Sequence, residues 1–412
     1  MKLPSRRRAR IAVLGAGIMG CSLAMFLARR GADVTLIDEA DAPFARTSRW
    51  NEGKIHLGYL YAGDPSLATA RKMLTGGLAF RPLVEELIGA PISDAATSQD
   101  DVFLVHHTSI VAPDAMNRYF AAVSELIRSH PDVASYPVDV SQARSYALTA
   151  RELSEISGSP LIVSGFRVPE RSIQTQWLAD RFAGAVLAEP HIAFLANTRV
   201  LEVDKGENGW TVKSTGSIEE RFDIIINALW EGRIAIDSAV GIAADVDVSY
   251  RYRLALFVRT DQPIALPNAV IATGPFGDVK NYNGTDFYLS WYPAGLIADA
   301  AGPTPPALPP RDGATDSNVA AETFAALAAL LPGVQNVRSH VAEMAVEGGW
   351  VVAPGTGALS DPACKLHQRD RFGVRRYGSF ITVDTGKYST APWLAKQIVD
   401  ELLGEPASRH GR

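Results

Sequence analysis

Gly15, Gly17 and Gly20 stand in the order G-x-G-x-x-G within Gly15-Ala16-Gly17-Ile18-Met19-Gly20, and an acid, Asp38, follows about 20 residues on. This spacing suits a dinucleotide. Gly15 permits a tight turn, Gly17 lets the backbone approach a pyrophosphate, and Gly20 lets a helix pack closely on a strand. A helix that opens at this loop offers free N–H groups and partial positive charge to the phosphates. Ala16, Ile18 and Met19 are therefore expected at the cofactor too. Asp38 accepts hydrogen bonds from adenosine ribose hydroxyls, and with Glu39 beside it disfavours the extra phosphate of NADP.

Other residue types bear on chemistry with less position to guide them. His56 carries a ring that titrates near neutral pH, suited to binding a substrate or tuning an amine; the alternative is a histidine that holds a buried loop. Tyr250, Arg251, Tyr252 and Arg253 alternate, so on a strand the tyrosines face one way and the arginines the other. Tyr288, Trp291 and Tyr292 sit in a second aromatic stretch available to pair with them, although core packing explains the same spacing. The histidines show no metal-ligand spacing, since His106 and His107 are adjacent, and no metal site is expected.

The elements that must hold these groups can be read from the pattern. Ile11 to Leu14 reads as a buried strand, Ser22 to Arg30 as a helix stopped by Gly31, and Val34 to Ile37 as a second strand ended by Asp38. From Glu39 to Tyr59 the chain is irregular, polar and rich in glycine. An ordinary NAD enzyme would continue through alternating strands and helices, whereas this stretch suits wrapping a larger ligand, FAD. Arg6, Arg7, Arg8 and Arg10 before an apolar run imitate a signal peptide. The glycines within that run and the lack of a cleavage site favour strand-turn-helix with a solvated start.

With 412 residues, two domains are expected. A net charge of −5 gives no general attraction to nucleic acid or anionic lipid. Only two cysteines, Cys21 and Cys364, fit a reducing compartment, and a cytoplasmic location is expected. Cys21 reads as a packing residue. No membrane span is expected, and the oligomeric state is open.

Five segments, in order, make the chain resemble the D-amino acid oxidase family of flavoproteins. They are the glycine loop with Asp38; Ser48 to Gly58, similar to an "S-x-x-N-x-G-x-I-H" loop; Thr198 to Val203; Ile224 to Trp230, in place of "V-V-N-A-A-G-x-W"; and Thr385 to Pro392. The resemblance implies an α/β fold: a Rossmann-like FAD-binding domain of the D-amino acid oxidase (GR2) type with an antiparallel-sheet substrate domain. The FAD domain would be discontinuous, at 1–80, 151–240 and 340–412, and the substrate domain would take 81–150 and 241–339. Pro303 to Pro310 would be an exposed connection before a helix starting near Ser317, and a late helix would cover Ala391 to Leu403.

Further cofactor contacts implied by the resemblance are Ser48, Asn51, Gly53, Lys54, Ile55, Val200, Ala228, Trp230, Gly386, Lys387, Tyr388 and Ser389. It places Lys54 and His56 over or beside the flavin ring and Lys387 near flavin N1, where its charge would stabilise the reduced ring. The family's reaction is hydride transfer from a substrate carbon to flavin N5, with oxygen or another acceptor reoxidising the flavin. Tyr252, Tyr288, Trp291 and Arg369 are candidates for holding a small-molecule substrate. The family's "R-P" arginine for a substrate carboxylate is missing where Asp361-Pro362-Ala363-Cys364 stands. Cys364 also invites comparison with a covalent flavin link, although its surroundings match poorly. The leading expectation is oxidation of a C–N bond of an amine or amino acid. The alternatives are a C–OH substrate such as a hydroxy acid, or a FAD-carrying subunit of a complex.

Overall fold

The computed structural model describes residues 9–216, 219–243 and 247–404; the expected solvated arginines Arg6 to Arg8 lie outside them. The first strand, β1 (Arg10–Leu14), is followed by helix α1 (Ile18–Arg29) and a second strand, β2 (Asp33–Ile37). Ile11, Ala12, Val13 and Leu14 are all fully buried, which is why the run is apolar throughout instead of alternating. Strand β1 lies parallel to β2 on one side and to Ile224–Asn227 on the other. The six-stranded sheet runs Gly373–Tyr377, Phe380–Asp384, Ile224–Asn227, β1, β2, Ile192–Leu195, with only the first of these antiparallel to its neighbour.

Helix α1 begins at Ile18, four residues before the expected Ser22, so Gly20 lies inside it. The cause is packing: a Cβ on Gly20 would sit 1.8 Å from the carbonyl oxygen of Gly15, so only glycine allows the first turn to close on the loop. The helix ends as expected, with Gly31 at φ 85° donating its N–H to Ala28 O.

The second large sheet has nine strands and is antiparallel except where Ala269–Ala272 runs parallel to Asp101–His106. Its long central strand, Val248–Thr260, pairs with Val341–Pro354, Leu296–Ala301 and Asp286–Trp291. Period-two alternation divides the sheet chemically. Leu254, Leu256, Val258, Phe287 and Leu289 meet the helix Gly313–Leu330 through Val319, Phe324 and Leu327. Arg251, Arg253, Asp278, Lys280 and Tyr288 occupy the opposite face, which looks toward the nucleotide-binding unit.

Sheet membership differs from the expected segments in two places. Ile162–Val168 and Val341–Pro354, expected with the FAD-binding pieces, both pair within the nine-stranded sheet. Each is an antiparallel partner for an otherwise open edge, a long-range relation that local pattern does not carry. The helix expected near Ser317 starts at Gly313, where Asp312 accepts the N–H of Thr315 at 2.8 Å. The late helix spans Ala391–Leu403. Segment 303–310 is a connection, yet Thr304, Pro305, Pro306 and Leu308 also wall the main cavity.

Candidate active site

A cavity of about 800 Å³ runs from the glycine loop to Glu52, Arg369 and Lys387, with Trp350, Val351 and Val352 of the nine-stranded sheet in its wall. Gly15, Ala16, Gly17, Ile18 and Met19 line it together with Asp38, Glu39, Ser48, Asn51, Val200, Ala228 and Trp230. The same cavity reaches Lys54, His56, Arg369, Gly386, Lys387 and Tyr388. Gly20, Gly53, Ile55 and Ser389 stand behind this wall. Gly53, at φ 63°, would drive a Cβ to 1.8 Å from Ile173 O, and Ser389 Oγ accepts the His56 N–H at 3.3 Å. Ile55 is fully buried, and its carbonyl accepts the Tyr136 hydroxyl at 2.8 Å. These residues shape the loop without facing the cavity.

The nucleotide end is a backbone structure braced by side chains. Asp38 Oδ2 accepts the Ala16 N–H at 2.6 Å and Oδ1 the Ala40 N–H at 2.8 Å, so the carboxylate faces the glycine loop. Ser48 Oγ accepts the Ile18 N–H at 2.9 Å, at the first turn of α1. Asn51 folds its own loop, donating to Thr47 O and Ser48 O and accepting the Gly53 N–H. Gly15, at φ 95°, would place a Cβ 2.9 Å from Ala228 O, and Gly17 one at 2.9 Å from Ser48 Oγ. Side chains at either position would therefore fill the cradle. The residues fit a bound dinucleotide: an acid for the ribose, a helix N-terminus for the phosphates, and a continuing cavity for the rest.

The other end is a chamber of side chains drawn from distant segments. Lys54 is buried and its Nζ contacts both Asp101 and Glu170, the latter at 3.2 Å. Burial opposes its charge, but the two carboxylates hold it protonated, above the ordinary lysine range. Lys280 Nζ also reaches Asp101, at 2.8 and 2.9 Å. Lys54 is thus a fixed cation in the cavity wall and is not available as a base.

His56 is buried as well. Burial, and then Lys387, Lys54 and Lys280, hold its pKa well below the usual range, so it is neutral throughout the physiological window. Its Nδ1 is buried without a hydrogen-bond partner. Lys387 is lowered to about 8 by burial, with Glu52 opposing and Arg369, Arg251 and Arg253 adding to the shift. Arg369 is lowered to about 10 by burial and then by Arg251. Its position is held from the backbone: the Arg369 N–H donates to Thr69 Oγ1 at 3.0 Å, and Lys72 grips the carbonyls of Asp370 and Phe372.

Two expected substrate residues belong to packing. Tyr252 lies edge-on to Trp350 at 5.2 Å, and Trp291 is tilted against Phe276 at 6.3 Å. Trp291 lies on the face opposite Tyr288, and Tyr252 on the face opposite Arg251, behind Trp350, which itself lines the cavity. Tyr288 does share the face of Arg253, which acts on its hydroxyl. The residues missed by sequence reading are Glu52, Asp278 and Tyr61, whereas the arginine-tyrosine pairing open to the sequence forms between Arg251 and Tyr292 at 3.0 Å. Alternation had separated the arginines from the tyrosines, but nothing local says which face meets the cofactor. Cys364 is buried among Ala353, Leu366 and Leu359 and does not line the cavity, so nothing in its placement suits a flavin link.

Comparison with known proteins agrees with this arrangement. Residues 10–363 match the family described as DAO, FAD dependent oxidoreductase. Glycine oxidase from Geobacillus kaustophilus superimposes with a TM-score of 0.68 at 14% identity, covering 97% of this chain and 96% of that one. Iminodiacetate oxidase from Chelativorans sp. BNC1 gives the same TM-score, identity and coverages. L-alpha-glycerophosphate oxidase from Mycoplasma pneumoniae gives 0.62 at 16% identity, over 97% of this chain and 96% of that one. At such identities the likeness is one of fold. Among the described residues, no helix is long and apolar enough to cross a membrane. The chain belongs to the D-amino acid oxidase (DAO) family and is a FAD-dependent oxidoreductase.

Proposed function

We propose that the chain oxidises a C–N bond of an amine or amino acid that bears an acidic group. The observation that carries this reading is the set of buried donors without partners: Tyr388 OH in the cavity wall, and Arg251 Nε and Nη2, Arg253 Nε and Tyr61 OH, which act on the lining residues Arg369 and Lys387. Burial pushes both phenols above their ordinary range, so they remain protonated donors. Buried donors of this kind are costly unless something accepts from them, and an anionic substrate does so. When bound, FAD supplies a ring that accepts a hydride from the substrate carbon.

The chain's own part is to bind, orient and set protonation. Arg251, Arg369 and Lys387 surround the substrate position with positive charge, which disfavours an ammonium and favours the amine with a free lone pair. Neutral His56 adds no charge of its own and presents Nδ1 as a polar contact. The residues from Ser48 to His56, with Gly386 to Tyr388, would hold the ring end of FAD. Lys387 would place a cation beside it. The two free, buried cysteines support a cytoplasmic location.

A second reading, oxidation of a C–OH bond, draws on His56 as well, because an unpartnered neutral imidazole nitrogen can accept a hydroxyl proton. The test is anaerobic titration of the FAD-loaded protein with matched amines and hydroxy acids, followed by air. Bleaching by amines alone supports the proposal; bleaching by hydroxy acids alone replaces it with the second reading. If neither bleaches the flavin and a protein partner copurifies, the chain is a FAD-carrying subunit. The rate of recolouring in air separates oxygen from another acceptor.

A further inference from the structure

We infer that the substrate presents two negative charges to the chamber, bridging Arg251 and Arg369. The inference rests on the reading that this chamber holds the substrate. Most buried cations of the molecule are neutralised by acids on the chain. Lys54 and Lys280 share Asp101, Lys54 also meets Glu170, and Arg233 meets Asp237 at 3.2 Å and Asp384 at 3.1 Å. The chamber arginines are different. Among the described residues, no carboxylate lies within the 4.0 Å ion-pair distance of Arg251, Arg253 or Arg369.

Their polar contacts are neutral ones. Arg251 Nη1 donates to Tyr292 OH at 3.0 Å, and Arg253 Nη2 donates to Ser290 Oγ at 2.8 Å. The Arg253 guanidinium also lies 4.5 Å from the centre of the Tyr292 ring. Of the acids facing this group, Glu52 acts first on Lys387 and then on Arg253, while Asp384, already paired with Arg233, acts on Arg369 from beyond ion-pair distance. Asp278 is held toward its neutral form by burial and by Glu52. That leaves Arg251, only 3% exposed with two nitrogens unpartnered, and Arg369, which lines the cavity.

Two guanidinium groups in a buried space repel each other, as the depressed pKa of Arg369 records. One carboxylate would neutralise one of them. Two negative charges, as a second carboxylate or as a phosphate monoester, would satisfy both and occupy the free Arg251 nitrogens. The shared chemistry is a dianion, and matched ligands distinguish its two sources.

The experiment follows flavin absorbance of the FAD-loaded protein, anaerobically, during titration with N-methylglycine and with iminodiacetate. These ligands share the same kind of amine and differ by one carboxylate. Glycerol phosphate and aminoethyl phosphate supply the phosphate arm, and acetate and malonate act as unreactive monoanion and dianion. We expect each dianion to bind about 10- to 100-fold more tightly than its monoanionic partner, the size of one added charge-assisted contact. Arg251→Met and Arg369→Met should each reduce that ratio to near one, while Arg251→Lys keeps part of it.

A monoanion that binds as well as its dianionic partner overturns the inference, as does a preference that survives in both methionine variants. The same holds if no anion of either charge perturbs the flavin. If phosphates prevail over dicarboxylates, the dianion stands with phosphate as its source. If glycerol phosphate bleaches the flavin and no amine does, the C–N reading fails while the dianion inference survives.

Discussion

The two ends of the cavity recognise ligand by opposite means. The nucleotide end is built mainly from Gly15 to Asn51, with Val200, Ala228 and Trp230 beside it, and its groups already hold partners: Asp38 takes two backbone N–H groups, and Ser48 caps the N–H of Ile18. The chamber end gathers Glu52, Arg251, Arg253, Arg369 and Lys387 from four parts of the sequence and leaves several donors unpartnered. A shared cofactor can be held by backbone geometry that many sequences satisfy. A particular substrate has to be read by side chains placed one at a time, at some cost to the empty protein.

Changes at the nucleotide end should therefore remove the cofactor, and changes in the chamber should alter ligand choice with FAD still bound. The largest effect is expected from Gly20→Val, because the added carbon meets the Gly15 carbonyl at 1.8 Å. Protein purified with that change should contain essentially no flavin by absorbance. Gly17→Ala meets only the Ser48 hydroxyl, a side chain that can turn away, and should retain part of its FAD. Equal loss in both would show that the loop tolerates no side chain at all, whatever its neighbour.

Next in size is Asp101→Asn, which leaves Lys54 with Glu170 and takes from Lys280 the carboxylate it is paired with. Denaturant unfolding of the FAD-loaded protein should show a loss of about 3–5 kcal/mol. Asp38→Ala should weaken FAD binding by about 10- to 100-fold in a fluorescence titration, since it removes a charged acceptor from the cradle.

The smallest effect concerns pH. Lys387 titrates near 8 in the folded protein, below the ordinary 10.5. Its charge is present below about 8, so anion binding should be strongest there and weaken as pH rises through that value, by up to roughly tenfold. Over the same rise, from about 8 to 10.5, the unfolded chain holds a proton that the folded chain has released, so this group makes stability increase with pH. Lys387→Met should flatten both profiles. A binding curve unchanged by that substitution would move the titrating group elsewhere in the chamber.

The same contrast explains what could be read in advance. The glycine loop, β1, β2 and Asp38 are local features, and so is the apolar pattern of Ala391–Leu403. The start of α1 at Ile18, ahead of the expected Ser22, depends on the contact between Gly20 and Gly15, which the local pattern does not show. The ion pairs of Lys54 are not legible locally, because its partners Asp101 and Glu170 lie 47 and 116 residues away. Tyr252 was preferred to Arg251 because alternation separates two faces without naming the inner one. Only the packing of Val248–Thr260 against the nucleotide unit settles that choice.

The account turns on the separation of cradle from chamber, and one variant tests it directly: Arg251→Met with Arg369→Met, assayed for FAD content and for the spectral response to malonate. The account predicts a full complement of FAD and no malonate response, because the guanidinium groups hold substrate and not cofactor. Loss of FAD in a folded protein, or a malonate response equal to that of the unaltered chain, would contradict it.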